Sequence, residues 1–214
     1  MITNRAIIRQ AAERVSQAAS RAIGDFDKGL IEQEPAFTDR MLGRIQEAMN
    51  GYESKGIRWS AKTLTDRGRG AQEARFGADF VGVFEASLPE YSTRKGFLAQ
   101  AKLVRPHTRI PVAEFNRLQA QCDRMLSISP DSYVFLYSGD GISVLPASAV
   151  FGLTERSLDL IYSRSVGRFF EEHFSSFIGD RAISSPSIEI LQRLRLDGIG
   201  RTIQYLTAVW IGDA

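Results

Sequence analysis

Apolar residues recur at helical spacing from the start of the chain. Ile7, Ile8, Ala11, Ala12, Val15, Ala18, Ala19 and Ile23 line one face of an amphipathic helix over 5–23, with Gly24 as its stop. After the acidic connector Asp25–Glu34, Pro35 suits the first turn of a second helix running to about Asn50. Its buried stripe is Phe37, Met41, Leu42, Ile45 and Met49. The texture then changes. Residues 58–64 read as a strand, 66–77 as a glycine- and arginine-rich loop, Ala78–Ala86 as a second strand, 87–95 as a turn, and Gly96–Val104 as a third strand. Pro111 opens a helix to about Ile128 with Phe115, Leu118, Cys122, Met125 and Leu126 on one face. Tyr133–Tyr137 is a nearly all-apolar strand, as a central buried strand requires, and Gly139-Asp140-Gly141 turns it into a partner at Ile142–Leu145. The last third reads as mostly helical. Leu158 to Ile178 carries Phe169, Phe170, Phe174 and Phe177, followed by a short helix at 187–196 and a strand at Thr202–Ile211.

The chain has 214 residues, 43% of them hydrophobic and 24% charged, enough for a core that needs no staples. A single cysteine, Cys122, excludes an intrachain disulfide and a Cys-based zinc site. Two distant histidines, His107 and His173, exclude a His cluster. No apolar run reaches the ~20 residues of a membrane span, and Met1–Arg5 lacks a signal-peptide core. A reducing cytoplasm is the expected location, with no membrane partner.

Two of the strands hold polar residues that a buried strand keeps only for a reason. Asp79 stands between Ala78 and Phe80. Gln100 and Lys102 interrupt an apolar run and, two residues apart, face the same way. If the two strands pair, a carboxylate, an amide and an ammonium meet. Burying such groups without partners is expensive, and hard oxygens of this kind suit Mg²⁺ or Mn²⁺. Asp79, Gln100 and the peptide oxygen of Ala101 are the candidate ligands. Lys102 is the candidate for orienting or deprotonating an attacking water.

Gly77-Ala78-Asp79 followed by Gln100-Ala101-Lys102 resembles the PD-(D/E)XK nuclease superfamily, over roughly residues 30–146. Ala78 stands where that motif has proline. Gln100 stands where Asp or Glu is usual, as in members that use Gln-X-Lys. The resemblance implies an α/β, restriction-endonuclease-like core of a helix, a three-stranded meander, a helix and further strands. Domain limits follow as 1–29 for an N-terminal helical extension, 30–150 for the nuclease core and 151–214 for a mostly helical C-terminal extension. The implied activity is Mg²⁺- or Mn²⁺-dependent DNA cleavage in a prokaryotic defence or restriction system. With Gln100 neutral, a further carboxylate is expected from Glu34, at the start of the second helix, or from Glu73, six residues before Asp79. Glu47 and Glu85 are weaker candidates.

Charge placement agrees with an anionic partner. Residues 54–75 carry six basic and two acidic side chains, net +4, and 92–110 carry five basic and no acidic ones, net +5. Arg58, Lys62, Arg67, Arg69, Arg75, Lys95 and Arg105 are the expected phosphate contacts. Specificity or activation would come from a partner protein or from self-association through the aromatic C-terminal helix. Two rival readings remain: a catalytically inactive DNA-binding or scaffold subunit of the same fold, and an unrelated α/β interaction domain in which Asp79, Gln100 and Lys102 are structural.

Overall fold

The computed structural model describes residues 5–31, 33–64, 77–89, 91–104, 109–184 and 203–210. Their elements are α1 (Arg5–Asp27), α2 (Glu34–Met49), β1 (Tyr52–Ser54), β2 (Ile57–Leu64), β3 (Phe80–Leu88), β4 (Tyr91–Leu103), α3 (Val112–Leu126), β5 (Ser132–Ser138), β6 (Gly141–Pro146), α4 (Ala147–Phe151), β7 (Arg164–Ser165), α5 (Val166–Phe174) and β8 (Ile203–Trp210). The strands form one mixed eight-stranded sheet in the order β1-β2-β8-β3-β4-β5-β6-β7. The α/β class is therefore as expected.

Helices cover both faces of this sheet. On one, α1, α2 and α5 pack over Trp59, Phe80, Phe84, Phe97, Phe135 and Tyr137. On the other, α3 and α4 pack over Val81, Val83, Leu98, Val134 and Leu145. Alternation along β4 divides its side chains between the two cores. Phe97, Ala99 and Ala101 face α2 and α5, whereas Leu98 joins the α3 core, and Gln100 and Lys102 follow it by the period of two. Among the described residues no helix is long and apolar enough to cross a membrane.

Several expectations need correction. The three-stranded meander is interrupted, because β8 inserts between β2 and β3, antiparallel to the first and parallel to the second. The C-terminal segment thus supplies an interior strand of the sheet as well as a helix. Within Leu158–Ile178, only Val166–Phe174 is α-helical. Phe169, Phe170 and Phe174 are core residues, while Phe177 is exposed. The helix at 187–196 lies outside the described residues. α1 continues through Gly24 to Asp27, since a helical glycine costs only ~1 kcal/mol. It is buried along a full stripe against α2 and α5. The turn at 87–95 is much shorter than read: β3 and β4 pair as far as Leu88 and Tyr91.

The longer β4 carries Lys95 into the interior, where it is 2% exposed. Its ammonium donates to the carbonyls of Ile178, at 2.5 Å, and His173. Burial pushes the lysine down to about 8, opposed by Asp131 and reinforced by Arg181. A lysine so placed cannot meet a DNA phosphate, which overturns that assignment. His173, fully buried beside it, is held well below its usual value by burial first and Lys95 second, opposed by the Ile178 carbonyl. Both shifts have the same sign. Where the folded group has lost a proton that the unfolded chain still binds, stability rises with pH. For Lys95 that window runs from about 8 to the ordinary 10.5. Relative to Lys95→Met, the parent is expected to gain on the order of 3 kcal/mol of stability across that window in urea unfolding, because the buried Cys122, Tyr133 and Tyr137, whose raised values make stability fall with pH, are common to both proteins. The same alkaline pH dependence in the parent and in Lys95→Met would contradict the burial argument.

Candidate metal and phosphate site

β3 and β4 do not end together. Their pairing stops at Phe80 and Ala99, with one further backbone bond from the Asp79 N–H to the Ala99 carbonyl at 2.7 Å. β4 runs on to Leu103, held on its other side by parallel pairing to β5. Its N–H groups at Ala101 and Leu103 therefore face an edge with no strand beside it among the described residues, and unsatisfied donors there would be costly. Two carboxylates satisfy them. Asp79 Oδ2 accepts from the Ala101 N–H at 2.8 Å, and Glu34 Oε2 accepts from the Leu103 N–H at 2.7 Å.

Local sequence explains both placements. Gly77 has φ 76°, and a Cβ there would lie 2.1 Å from the carbonyl oxygen of Gln121 in α3. Only glycine lets the chain pass beneath that helix and turn Asp79 onto the end of β4. Glu34 begins α2, where Pro35 presets the backbone and an acid suits the helix N-terminus. This first turn is pinned to β5. The Phe37 and Tyr137 ring centroids are 4.3 Å apart, and the Thr38 hydroxyl lies 3.2 Å from that of Tyr137. The Tyr137 hydroxyl is pushed far above its usual range, chiefly by burial. The Thr38 contact opposes this, and the Asp79, Glu34 and Asp39 carboxylates add to it.

Gln100 is 3% exposed. Its amide nitrogen donates to Asp79 Oδ2 and, at 3.0 Å, to the Ala101 carbonyl. Its Oε1 is buried with no hydrogen-bond partner among the described residues. Such an orphan acceptor costs ~1–3 kcal/mol. Rotating the amide by half a turn would bring Oε1 beside Asp79 Oδ2 and the Ala101 oxygen, three hard oxygens around one point. A divalent cation would make that arrangement favourable, and the donor set fits Mg²⁺ or Mn²⁺. The set is mixed: among the described residues, no three His, Cys, Asp or Glu side chains form a metal-binding group.

Lys102, two residues on, lies with its ammonium 3.9 Å from Glu34 Oε2 and 3.2 Å from Glu114 Oε2. Asp79, Gln100, Ala101, Lys102 and Glu34 are thus gathered at one end of the sheet. The anchored oxygens of Asp79 and Glu34 cap N–H groups two residues apart along a strand, about 7 Å. Oxygens so spaced do not both touch one Mg²⁺ at about 2.1 Å. In this arrangement Glu34 belongs with Lys102 and not among the direct ligands.

The remaining candidates are not among the described members of this cluster. Glu73, Arg67, Arg69, Arg75 and Arg105 lie outside the described residues, as does the side chain of Lys62. Arg58 pairs with Glu53 at 2.7 Å and lies level with Val209 and Ser87, about 26 Å along the sheet from Asp79. It does not flank the site. Glu85 pairs with Arg94, and Glu47 with Arg44, both away from the cluster. Glu114 is the member that sequence reasoning missed. A signal was present: the crossover from β4 to the parallel β5 starts α3 at the C-terminal end of β4, so an acid in the first turn of α3 falls beside Lys102.

No protein-family model, curated protein or solved structure matches this chain.

Proposed function

We propose that this chain is a Mg²⁺- or Mn²⁺-dependent DNA endonuclease of the PD-(D/E)XK type, with Gln100 in the place of the second acid. The observation that carries the reading is the convergence of Asp79 Oδ2, the Ala101 carbonyl and the Gln100 side-chain amide, whose nitrogen meets both oxygens and whose buried Oε1 has no partner among the described residues, with Lys102 two residues further on. Asp79, Gln100 and the Ala101 oxygen would hold the metal. When bound, the ion would lower the pKa of water and offset charge on phosphoryl oxygens. Lys102 orients the attacking water and steadies the developing charge, and Glu34 holds Lys102 while capping Leu103. Placement in a prokaryotic defence or restriction system rests on the sequence resemblance alone.

Nicking of supercoiled plasmid in Mg²⁺ or Mn²⁺, and none in EDTA, is the expected result. Asp79→Asn is expected to raise the metal requirement by about tenfold or more, since even outer-shell partners of metal ligands are worth that much. An unchanged metal titration for Asp79→Asn would remove the assignment. One observation favours the inactive-subunit reading: the Gln100 amide nitrogen already satisfies Asp79 without a metal. Salt-sensitive DNA binding without cleavage in either metal would select it.

A further inference from the structure

Lys102 stands between two carboxylates that are held very differently. Glu34 is committed to the fold. Its Oε2 caps the Leu103 N–H at 2.7 Å, its helix is pinned by Phe37 and Thr38 against Tyr137, and its side chain is 28% exposed. Glu114 lies closer to the ammonium, at 3.2 Å against 3.9 Å, yet its side chain is 52% exposed. It sits in the first turn of α3, where a carboxylate stays favourable whether or not it has a partner. The ammonium offers three donors on a compact charge, and Glu34 remains at one side. A phosphate oxygen that reaches the ammonium from its more exposed side would meet it where Glu114 lies. A carboxylate oxygen and a phosphate oxygen at that distance compete for the same donor, and an ion pair this exposed is worth little enough to exchange.

Resting on the nuclease reading, we propose that Glu114 is a positioning residue that holds the Lys102 ammonium in place of a DNA phosphate and is displaced when the nucleic acid binds. Glu114 thus fixes the lysine rotamer in the protein alone and sets a threshold for binding: an anion that cannot displace it does not engage Lys102. The exchange is between two anions on one cation, so it involves no covalent step. Its signature is a coupling between positions 114 and 102 in DNA affinity.

The test is a double-mutant cycle read by DNA affinity. Binding of a short fluorescein-labelled DNA duplex is measured by anisotropy in EDTA for the parent, Glu114→Gln, Lys102→Met and the double variant. Glu13→Gln on the exposed face of α1 serves as a control that removes one surface carboxylate away from Lys102. Glu114→Gln is expected to tighten binding about two- to fivefold, the scale of a half-exposed ion pair, with folding unchanged by circular dichroism. Glu13→Gln should change affinity less than twofold. In the Lys102→Met background the gain from Glu114→Gln should vanish. In metal, Glu114→Gln should lower KM for plasmid while leaving kcat within about twofold, a split that simple loss of stability does not produce. Equal effects of Glu114→Gln and Glu13→Gln overturn the proposal, as does an undiminished gain in the Lys102→Met background. A parent protein that binds no duplex in EDTA and nicks no plasmid in Mg²⁺ or Mn²⁺ overturns the nuclease reading, and this proposal with it; one that nicks plasmid in metal but binds no duplex in EDTA overturns this proposal alone. A parent that binds and cuts DNA, with an uncoupled cycle, overturns this proposal alone.

Discussion

Lys102→Ala should abolish plasmid nicking, with a loss of about 10²–10⁴-fold, and leave the fold intact. Lys102 is the only ammonium that the described structure brings to the end of β4 beside Gln100 and Asp79. No other described cation there can steady charge on a phosphoryl oxygen. The fold should not depend on it. Its side chain is 23% exposed at the rim of the sheet, Glu34 keeps its bond to the Leu103 N–H, and Glu114 turns to solvent. The stability change should stay within about 1 kcal/mol. The two measurements are nicking rate under saturating Mg²⁺ or Mn²⁺, and urea unfolding. Near-parental cutting by a folded Lys102→Ala protein would refute the role given to this residue.

Gly77→Ala should be the most damaging small substitution near the site, costing about 3 kcal/mol or more. Two penalties combine. A non-glycine residue at φ 76° pays ~1–2 kcal/mol. The new Cβ would also lie 2.1 Å from the Gln121 carbonyl oxygen and 2.8 Å from the Gln121 carbonyl carbon, so backbone must move. The displaced segment leads directly into Asp79, whose oxygen caps Ala101 at 2.8 Å. The variant should therefore lose metal-dependent activity even at temperatures where it stays folded. Gly29→Ala is the matched control. Gly29 has φ 70° but nothing within 4 Å of its added Cβ, so only the conformational penalty should appear. Equal unfolding midpoints for the two variants would show that the contact beneath α3 is not what demands glycine.

The sequence was sufficient wherever local pattern carries the information. Helical spacing marks α1, α2 and α3 because one stripe of each is buried, and the apolar run at Tyr133–Tyr137 marks β5 because both its faces are covered. The polar interruptions at Asp79, Gln100 and Lys102 are equally legible. A period of two places Gln100 and Lys102 on one face, and antiparallel pairing of β3 with β4 brings Asp79 beside them. What tertiary structure decided is pairing across long separations. No periodicity in Ile203–Trp210 reveals that this strand enters between β2 and β3, because a parallel and an antiparallel neighbour demand the same apolar pattern. Lys95 reads as a surface cation in the sequence. It became an interior one because β4 extends back to Tyr91 and the carbonyls of His173 and Ile178, about eighty residues later, supply its partners. The separation of roles between Glu34 and Glu114 has the same origin. A carboxylate's task is set by which N–H or ammonium lies within about 3 Å. That distance is fixed by how α2 and α3 pack against opposite faces of the sheet, and the residue type alone does not contain it.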